Sequence, residues 1–403
     1  MSTSPRPRVA IVRHSFYPSE LNVKREAEAL RDAGYDVDVI CLRGQGEAGR
    51  EDVEGIHVHR LPVGHKRGKI LRYLWEYNAF FVLAAAKLGA LHNRSRFAAV
   101  QVNTMPDYLV FVALYPKLTG ARVVLHLHEP VPELFGTMFP SRWYTQPFLW
   151  TLARVEQASI RFADRAITVT DQMRDNFVRR GADPAKIAVV VNVPDDRYFR
   201  IERYEHLRAK VDGIKQEESA RGVFRVLTHG SIEERYGFDT IVRAVALAKE
   251  EVPGIQFRFM GSGDHLEQVL ALAKELGIGD RVHYLGFVPF EQMVEEILLA
   301  DVCVVAQERN PYSVLVHTNK MFEYMALQRP VIMSRLDAVA AYMTGESALY
   351  FDSGNHQELA ARLIEVARDP RAAQVRVQRA NDLYREHRWE NEKRQYLDRY
   401  RPA

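Results

Sequence analysis

Short runs of apolar and β-branched residues alternate along the chain with longer stretches of helical periodicity. In the first half the strand-like runs are VAIVRH, VDVICL, IHVHRL, AVQVN, VVLHLH, AITVT and IAVVVN. The stretch ELNVKREAEALRDAG, which ends on Gly34, is typical of the segments between them. Strands that are apolar along their whole length, with helices between them, indicate a parallel sheet covered by helices on both faces.

The alternation breaks near residue 200 and then resumes. Proline and paired aspartates in NVPDDRYF predict a turn, and residues 201–222 are so charged that they are predicted to form a solvated linker or loop. Strand-like runs return in FRVLTHG, IQFRFMG, VHYLG, DVCVVA, PVIMS and ALYFD. The sequence therefore predicts two doubly wound α/β domains, over residues 1–200 and 223–384.

Composition and charge narrow the class of protein. The 403 residues are 47% hydrophobic and 27% charged, as in ordinary soluble globular proteins, and the net charge of +3 argues against a dedicated nucleic-acid binder. The longest uncharged apolar run, AFFVLAAA, is too short to span a bilayer, and no signal-peptide pattern is expected at the N-terminus. Cys41 and Cys303 lie in apolar runs, so two buried thiols and a reducing, cytosolic compartment are expected.

Ligands of open parallel sheets bind beyond the C-terminal ends of the strands, so residues just after strands are the candidates for a site. In THGSIEERYGF, Gly230 ends a strand and allows a ligand close to the backbone. Arg235 stands in the turn that follows and could fork onto phosphate oxygens. A surface ion pair with Glu233 or Glu234 is an equally good interpretation of this arginine.

The second candidate is FMGSGDHLEQ, where Gly261 and Gly263 follow a strand and open a helix. The third glycine of a dinucleotide fingerprint is missing, because Leu266 occupies its place. A lone G-x-G pattern is weak, so it favours a tight turn near a ligand over a nicotinamide enzyme.

The third candidate is HTNKMFEYMALQRPVIMS, a helical run before a short strand. Thr318 and Asn319 could cap the helix, and Lys320 and Glu323 are three residues apart and share a face. A phosphorylated sugar needs this set of donors, a cation and an acceptor for hydroxyls. A surface ion pair is the alternative, but the apolar neighbours favour a ligand site.

The fourth candidate is LHLHEPVPELF in the first half of the chain. His126 and His128 alternate along a strand and point to one face, and Glu129 and Glu133 follow. A metal site is one option, but the sequence offers no convincing third ligand, and histidines in a core or at a sheet edge are commoner. His128 nevertheless stands at the strand end, where a ligand cleft is expected.

Together these stretches resemble a known family. THGSIEERYGFDTIVRAV, FMGSGDHLEQ, RVHYLGFVPFEQM and NKMFEYMALQRPVI are similar to the nucleotide-sugar domain of family-4 glycosyltransferases. FYPSELNVKREAEALRDAGYDVDVI and HLHEPVPELF are similar to their acceptor domain. The resemblance implies the GT-B fold, with two Rossmann-like domains facing across a cleft and a C-terminal helix, at about residues 385–403, packed on the first domain.

The resemblance also implies an activity. It is the retaining transfer of a sugar from a nucleotide sugar, with UDP favoured as carrier, to a glycan or lipid-linked acceptor, without a bound metal or other cofactor. Glu323 matches the second glutamate of the E-x7-E motif, which binds the donor ribose, and His128 matches the cleft histidine near the reacting sugar. Tyr17, Glu129 and Glu133 are expected on the acceptor side.

The chain departs from the family pattern at three positions. The first glutamate of the motif falls at Leu315, and the usual arginine and lysine fall at Ser231 and Tyr236. Arg235 is therefore expected to bind the diphosphate, with Lys320 as helper, and both join His128 as expected catalytic residues. The expected donor-site residues are Gly230, Ser231, Arg235, Gly261, Gly263, Thr318, Asn319, Lys320 and Glu323.

The missing glutamate keeps other functions open. One is a non-catalytic partner that binds nucleotide sugars, and the other is a different GT-B enzyme, such as a sugar-nucleotide epimerase or a phosphorylase. Each differs from a transferase in its products, so an assay can separate them.

A basic and aromatic stretch, GHKRGKILRYLWEY, suits peripheral contact with an anionic membrane. That contact would place a cytoplasmic enzyme at the inner face of the membrane, beside a lipid-linked acceptor. An ordinary domain helix with a basic loop is an equal alternative. The residues concerned are His65, Lys66, Arg67, Lys69, Leu71, Arg72, Tyr73, Leu74 and Trp75.

Overall fold

The computed structural model describes residues 6–64, 70–138 and 143–401, which divide into two compact α/β units. The first unit comprises Met1–Val191 with Glu390–Ala403, and the second comprises Asn192–Trp389. None of the helices in these described ranges is both long and apolar enough to cross a bilayer.

The first unit is built on an eight-stranded sheet. Its strands are β1 (Arg8–Phe16), β2 (Asp36–Leu42), β3 (Arg50–Val53), β4 (Ile56–Leu61), β5 (Phe97–Asn103), β6 (Arg122–Leu127), β7 (Arg165–Thr168) and β8 (Ile187–Val189). The order is β3-β4-β2-β1-β5-β6-β7-β8, and every neighbouring pair is parallel except β3 with β4. Its helices are α1 (Leu21–Asp32), α2 (Ile70–Arg94), α3 (Leu114–Leu118), α4 (Val131–Met138), α5 (Thr145–Phe162) and α6 (Asp171–Arg179).

The second unit has a six-stranded sheet in which all neighbouring pairs are parallel. Its strands are β9 (Phe224–Ser231), β10 (Ile255–Ser262), β11 (Val282–Tyr284), β12 (Val302–Val305), β13 (Val331–Ser334) and β14 (Leu349–Phe351). The order is β11-β10-β9-β12-β13-β14. Its helices are α7 (Glu205–Ala220), α8 (Phe238–Ala248), α9 (Leu266–Glu275), α10 (Phe290–Leu299), α11 (Asn319–Ala326), α12 (Asp337–Ala340), α13 (His356–Arg368) and α14 (Pro370–Glu386).

The two parallel sheets confirm the predicted fold class. Central strands are buried on both faces, as their unbroken apolar runs require: Val9–Val12 of β1 are fully buried, and so are Phe257 and Phe259 of β10. Cys41 and Cys303 are both buried free thiols, as predicted. Burial raises the pKa of the Cys41 thiol to about 12, so this side chain stays protonated.

The prediction of a linker or loop over residues 201–222 is wrong, because most of this segment is helix α7. Val211 is its one buried residue, which explains the low apolar content. The charged side chains are used in pairing: the Lys210 Nζ lies 2.6 Å from a carboxylate oxygen of Glu295, and Lys215 pairs with Asp301. The two units divide between Val191 and Asn192, before this helix.

The last helix, α15 (Trp389–Asp398), continues into the final residues of the first unit. The Glu392 carboxylate accepts a hydrogen bond from the Val191 backbone N–H at 2.8 Å, and the side chains of Tyr396 and Tyr400 are buried. The chain thus returns to the unit in which it began.

Two glycines with the same backbone conformation test the packing of the second unit. Gly237, before α8, has φ +65°, and a Cβ there would lie 1.9 Å from the Ala306 carbonyl oxygen. Gly277, after α9, has φ +64° and no atom within 4 Å of such a Cβ. We expect Gly277→Ala to lower the free energy of unfolding by about 1–2 kcal/mol, the usual cost of a left-handed residue.

We expect Gly237→Ala to cost roughly 3 kcal/mol or more, because a forced backbone shift adds to the conformational cost. Urea unfolding of both variants measures the difference. Equal losses would contradict the close approach to Ala306.

Candidate functional site

The strands β9 and β10 approach each other closely at their C-terminal ends. Gly230 pairs in register with Gly261, and their φ angles are +111° and +132°. A Cβ on Gly261 would lie 1.8 Å from the Gly230 carbonyl oxygen, and one on Gly263 would lie 2.0 Å from that of Ile232. Only glycine fits at these positions, so backbone rather than side chains forms this edge of the sheet, beside an exposed Ser231.

Lys320, on the first turn of α11, faces this glycine edge. Its Nζ would lie 3.5 Å from a Cβ placed on Gly230, and it is 4.8 Å from the centroid of the Tyr236 ring. Among the described residues the Lys320 ammonium has no hydrogen bond and no ion pair. Burial lowers its pKa to about 8, against the opposing effect of Glu323. A buried ammonium that has no carboxylate at ion-pair distance among the described residues favours an anionic ligand.

Glu323 lies one turn further along α11 and is held by a histidine from β9. Its Oε2 is 2.8 Å from the His229 Nε2, and the His229 Nδ1 is 2.8 Å from the Tyr324 hydroxyl. This geometry assigns Nε2–H of His229 as donor to the carboxylate, with Nδ1 accepting from the tyrosine. The Glu323 Oε1 accepts no hydrogen bond within the described part of the chain, so it is available to a ligand's hydroxyl.

Sequence reasoning did not select His229. The available signal was a polar residue at the end of the otherwise apolar run FRVLTHG, directly before the glycine. A residue so placed on a parallel strand faces either the core or the ligand edge. The structure shows it 7% exposed and bonded to Glu323, so it belongs with the site.

Arg235 forms the ion pair that was one of its two predicted roles. Its Nη2 lies 2.7 Å from the Glu233 carboxylate, which is the predicted surface pair. Its guanidinium also lies 5.3 Å from the centroid of the Tyr236 ring, which Lys320 contacts too, and its buried Nε has no hydrogen-bond partner among the described residues. The structure therefore brings two cations to one tyrosine ring, beside the glycine edge.

The start of α11 differs in one detail from the prediction. Thr318 is the residue before the helix, but its side chain makes no capping hydrogen bond, and its buried Oγ1 has no partner within the part of the chain that the structure describes. The first N–H groups of the helix, at Asn319 and Lys320, have no helical acceptor. Leu315 is buried at 7% exposure, so an apolar side chain occupies the place where the resemblance expects a carboxylate.

The first unit contains a second polar cluster, around His128. The rings of His126 and His128 stack with centroids 3.9 Å apart, and the Glu26 carboxylate from α1 lies 3.0 Å from the His126 Nδ1. Gln101 and Asn103 of β5 each donate to the Glu26 Oε2, at 2.6 and 3.0 Å. No local pattern points to Glu26, which is 100 residues from His126.

Glu26, His126 and His128 are the candidate metal ligands within the described residues, since their polar atoms lie within 4.8 Å of one another. A glutamate and two histidines suit a divalent transition metal in number and type. The Glu26 Oε2 already accepts two amide N–H groups, whereas the Glu26 Oε1 and both ring nitrogens of His126 have no hydrogen-bond partner among the described residues. The cluster is therefore a hydrogen-bonded network that leaves three buried polar atoms without a hydrogen-bond partner among those residues.

Charge in this cluster is fixed by its surroundings. Burial alone would raise the pKa of Glu26, but His126 and Asn103 outweigh it and lower the pKa, so the carboxylate is ionised. Burial, followed by the charges of His126, Arg13 and Arg25, holds the pKa of His128 well below its usual value. His128 is therefore neutral at physiological pH.

The three expected acceptor-side residues have different surroundings. Glu133 bonds to Arg180 and accepts from the Asn176 amide at 2.9 Å, so this carboxylate is part of a protein ion pair. Tyr17 is 1% exposed, and an acceptor contact there needs a rearrangement. Glu129 is half-buried in the loop after β6.

Comparisons with known proteins agree with this architecture. Residues 20–192 match the family described as "Glycosyl transferase 4-like domain", and residues 223–369 match "Glycosyl transferases group 1". The chain belongs to the GT-B glycosyltransferases of this two-domain type. The predicted resemblance is therefore confirmed.

Three relatives illustrate the sequence similarity. The lipopolysaccharide core biosynthesis glycosyltransferase LpsE of Rhizobium meliloti is 28% identical over 36% of this chain and 39% of its own length. The D-inositol 3-phosphate glycosyltransferase of Thermomonospora curvata is 28% identical over 52% of this chain and 50% of its own length. The uncharacterized glycosyltransferase MJ1607 of Methanocaldococcus jannaschii is 20% identical over 95% and 94%. The first two matches span half of those relatives or less.

Solved structures show the same fold at low identity. The sucrose-phosphate synthase tll1590 of Thermosynechococcus elongatus superposes with a TM-score of 0.76 and 19% identity, over 98% of each chain. Anabaena Alr3699/HepE in complex with UDP-glucose superposes with a TM-score of 0.72 and 15% identity, over 97% of this chain and 98% of that one. These likenesses support the GT-B fold.

The buried ammonium of Lys320 predicts a pH-dependent stability. The pKa of this lysine is about 8 in the folded chain and 10.5 in the unfolded chain. At pH values between these two, the unfolded chain therefore binds more protons than the folded chain. The loss of stability caused by this buried charge is complete below pH 8 and decreases as the pH rises toward 10.5. We expect Lys320→Met to be more stable than the wild type at pH 7, with the gap shrinking by roughly 3 kcal/mol by pH 10.5.

Urea unfolding at pH 7, 8.5 and 10 measures this gap. Lys274→Met, at an exposed lysine of α9, serves as the matched control and should show no such trend. A pH-independent gap for Lys320→Met would contradict the burial of an unpaired charge.

Proposed function

We propose that the protein transfers a sugar from a nucleotide sugar, with a UDP sugar favoured, to a glycan or lipid-linked acceptor, with retention at the anomeric carbon. Such a reaction would serve the assembly of a cell-envelope polysaccharide or another glycoconjugate. The observation that carries the proposal is one helix face, on α11, that presents a free carboxylate oxygen of Glu323 and the unpaired ammonium of Lys320 beside a glycine edge.

The nucleotide sugar would lie along this face with its ribose at Glu323 and its diphosphate at Lys320. The vicinal hydroxyls of a ribose would donate to Glu323, which His229 holds in place. The diphosphate would lie against Lys320, Arg235 and the backbone N–H groups near Gly230 and Asn319. Two structures of a protein with the same fold support a UDP carrier: Anabaena Alr3699/HepE has been solved in complex with UDP and in complex with UDP-glucose.

The chemistry needs stabilisation of one leaving group. The bond between the anomeric carbon and the diphosphate oxygen breaks while the acceptor oxygen bonds to the same face of that carbon. Lys320 and Arg235 would stabilise the charge that grows on the diphosphate, so we propose that no metal is required. The proton of the acceptor hydroxyl would pass to the departing phosphate, and neutral His128 would contact the reacting sugar.

A second candidate is a non-catalytic partner that binds nucleotide sugars. Leu315 favours it, since a buried leucine replaces the first glutamate of the motif. This candidate predicts binding of a donor without transfer or hydrolysis. An epimerase, by contrast, would release a changed sugar that is still attached to its nucleotide.

Loss of the Glu323 carboxylate tests the donor site. We expect Glu323→Gln to lose roughly 1.5–3 kcal/mol of donor binding, the usual worth of charged hydrogen bonds, which is about tenfold to a hundredfold in affinity. Thermal shifts with UDP, GDP and their glucose and mannose conjugates, recorded in EDTA, measure it.

The control is Glu346→Gln, which removes an exposed carboxylate paired with Arg379. A nucleotide that raises the melting temperature of the wild type and this control, but much less that of Glu323→Gln, supports the proposal. If none of the nucleotides shifts the wild type, the donor site and the transferase proposal both fall.

We further propose peripheral contact of the protein with an anionic membrane through the basic and aromatic stretch near the start of α2. His65, Lys66, Arg67 and Lys69 lie outside the described residues. Among the described residues of this stretch, Trp75 is 66% exposed, and the Arg72 side chain donates a hydrogen bond to the Glu76 carboxylate at 2.9 Å. An exposed tryptophan near basic residues suits the interface of a bilayer.

Flotation with lipid vesicles tests the membrane contact. We expect the protein to bind phosphatidylcholine vesicles in which about one fifth of the lipid is anionic phosphatidylglycerol, and to bind them more weakly at high salt. We expect no binding to vesicles of phosphatidylcholine alone. Trp75→Ser should weaken the anionic binding, whereas Trp150→Ser, which removes another exposed tryptophan, should not. Absence of binding to either vesicle would remove the proposal.

A further inference from the structure

A chain of buried hydrogen bonds connects the C-terminal segment to His128 within the first unit. The Tyr396 hydroxyl donates to the Gln101 Oε1 at 2.7 Å, and the Tyr400 hydroxyl donates to the same oxygen. Both phenols and the Gln101 side chain are buried. Burial raises the pKa of both tyrosines well above the usual value, so they remain protonated donors.

The contacts of Gln101 fix the orientation of its amide. Its oxygen accepts from two hydroxyls, and its NH2 group donates to the Glu26 Oε2 at 2.6 Å and to the Asn103 Oδ1 at 2.6 Å. All four hydrogen-bonding positions of the amide are therefore used. A flipped amide would turn its oxygen toward a carboxylate and a carbonyl, which repel it.

The Asn103 amide is oriented by two neighbours, Gln101 and the acceptor-only carboxylate of Glu26. Since the Asn103 Oδ1 accepts from Gln101, its NH2 group must point the other way, to the Glu26 Oε2 at 3.0 Å and the His128 Nε2 at 3.2 Å. An amide N–H can be received only by an imidazole nitrogen without a proton. The Nε2 of His128 therefore carries no proton, and the ring holds its one proton on Nδ1, which makes no hydrogen bond to any described residue.

We propose that Tyr396 and Tyr400 act through Gln101 and Asn103 as positioning residues that hold His128 in its neutral Nδ1–H form. The C-terminal segment thereby completes a site whose reactive side chain lies on β6. The catalytic meaning of this inference rests on the proposed function, in which His128 contacts the reacting sugar. The hydrogen-bond chain itself does not depend on that function.

Other charged groups near His128 do not explain the choice of tautomer. His126 stacks on its ring, and Arg13 of β1 and Arg25 of α1 oppose its protonation, while Glu26 of α1 would favour it. These charges act on whether the ring is protonated, but not on which nitrogen carries the proton of the neutral ring. That choice falls to the Asn103 amide, which contacts Nε2.

The test reads the tautomer directly. The full-length protein is labelled with 15N-histidine, and long-range 1H–15N correlation spectra are recorded from pH 5.5 to 8 for the wild type and Tyr396→Phe/Tyr400→Phe. Comparison with His128→Gln assigns the signals. We expect the wild type to hold Nδ1–H, and the double variant to lose that preference by about fivefold, the worth of one ordinary hydrogen bond.

The control is Tyr350→Phe, which removes a buried hydroxyl that donates to the Met343 carbonyl at 2.8 Å in the second unit. It should leave the His128 spectrum unchanged. If the double variant does not fold by circular dichroism, Tyr396→Phe and Tyr400→Phe are read singly, since each retains one donor. A His128 tautomer that is unchanged in the folded variants would overturn the proposal.

Sugar transfer is measured in parallel and bears on the other proposal. A shifted tautomer with a lower kcat and an unchanged donor KM supports both the positioning role and the role of His128. A shifted tautomer with unchanged transfer supports the hydrogen-bond chain and removes His128 from the mechanism. The two failures are thus distinguishable.

Discussion

A buried positive charge without a negative partner organises the second unit. Lys320 costs stability where it stands, because its ammonium is taken out of water and meets no carboxylate at hydrogen-bonding distance among the described residues. The nearest carboxylate on its helix, Glu323, is instead turned to His229. A fold retains such a cost when a ligand supplies the missing charge. Gly230 presents backbone without a side chain beside the ammonium, since a Cβ there would lie 3.5 Å from the Lys320 Nζ.

The first unit contains a buried negative charge, and hydrogen bonds from neighbouring side chains stabilise it. One oxygen of its buried carboxylate, the Glu26 Oε2, accepts two amide N–H groups from β5, and β5 in turn receives two hydroxyls from Tyr396 and Tyr400. Buried amides that are held by such hydrogen bonds have one low-energy orientation. Under the proposal made above, these amides give His128 a defined tautomer.

Local pattern was enough to predict the fold and part of the site. The strands β9 and β10, the glycines at their ends and the shared face of Lys320 and Glu323 all follow from spacings within a few residues. Contacts between distant segments could not be predicted. His229 meets Glu323 across 94 residues, and Tyr396 meets Gln101 across 295, so no periodicity reports either pair.

The prediction of a loop over residues 201–222 was wrong for a similar reason. Helix α7 buries a single valine and holds its place through ion pairs with α10, so its composition is that of a solvated loop. The partners of these ion pairs lie on other elements, so the local pattern does not report them.

The central claim is that a nucleoside diphosphate neutralises Lys320. Isothermal titration of UDP and GDP at pH 8, in buffers of different ionisation enthalpy, measures the protons bound with the ligand. Because the pKa of Lys320 is about 8 and should rise beside a diphosphate, the account predicts uptake of about half a proton per nucleotide, lost in Lys320→Met. Binding without proton uptake, or with the same uptake in Lys320→Met, would contradict it.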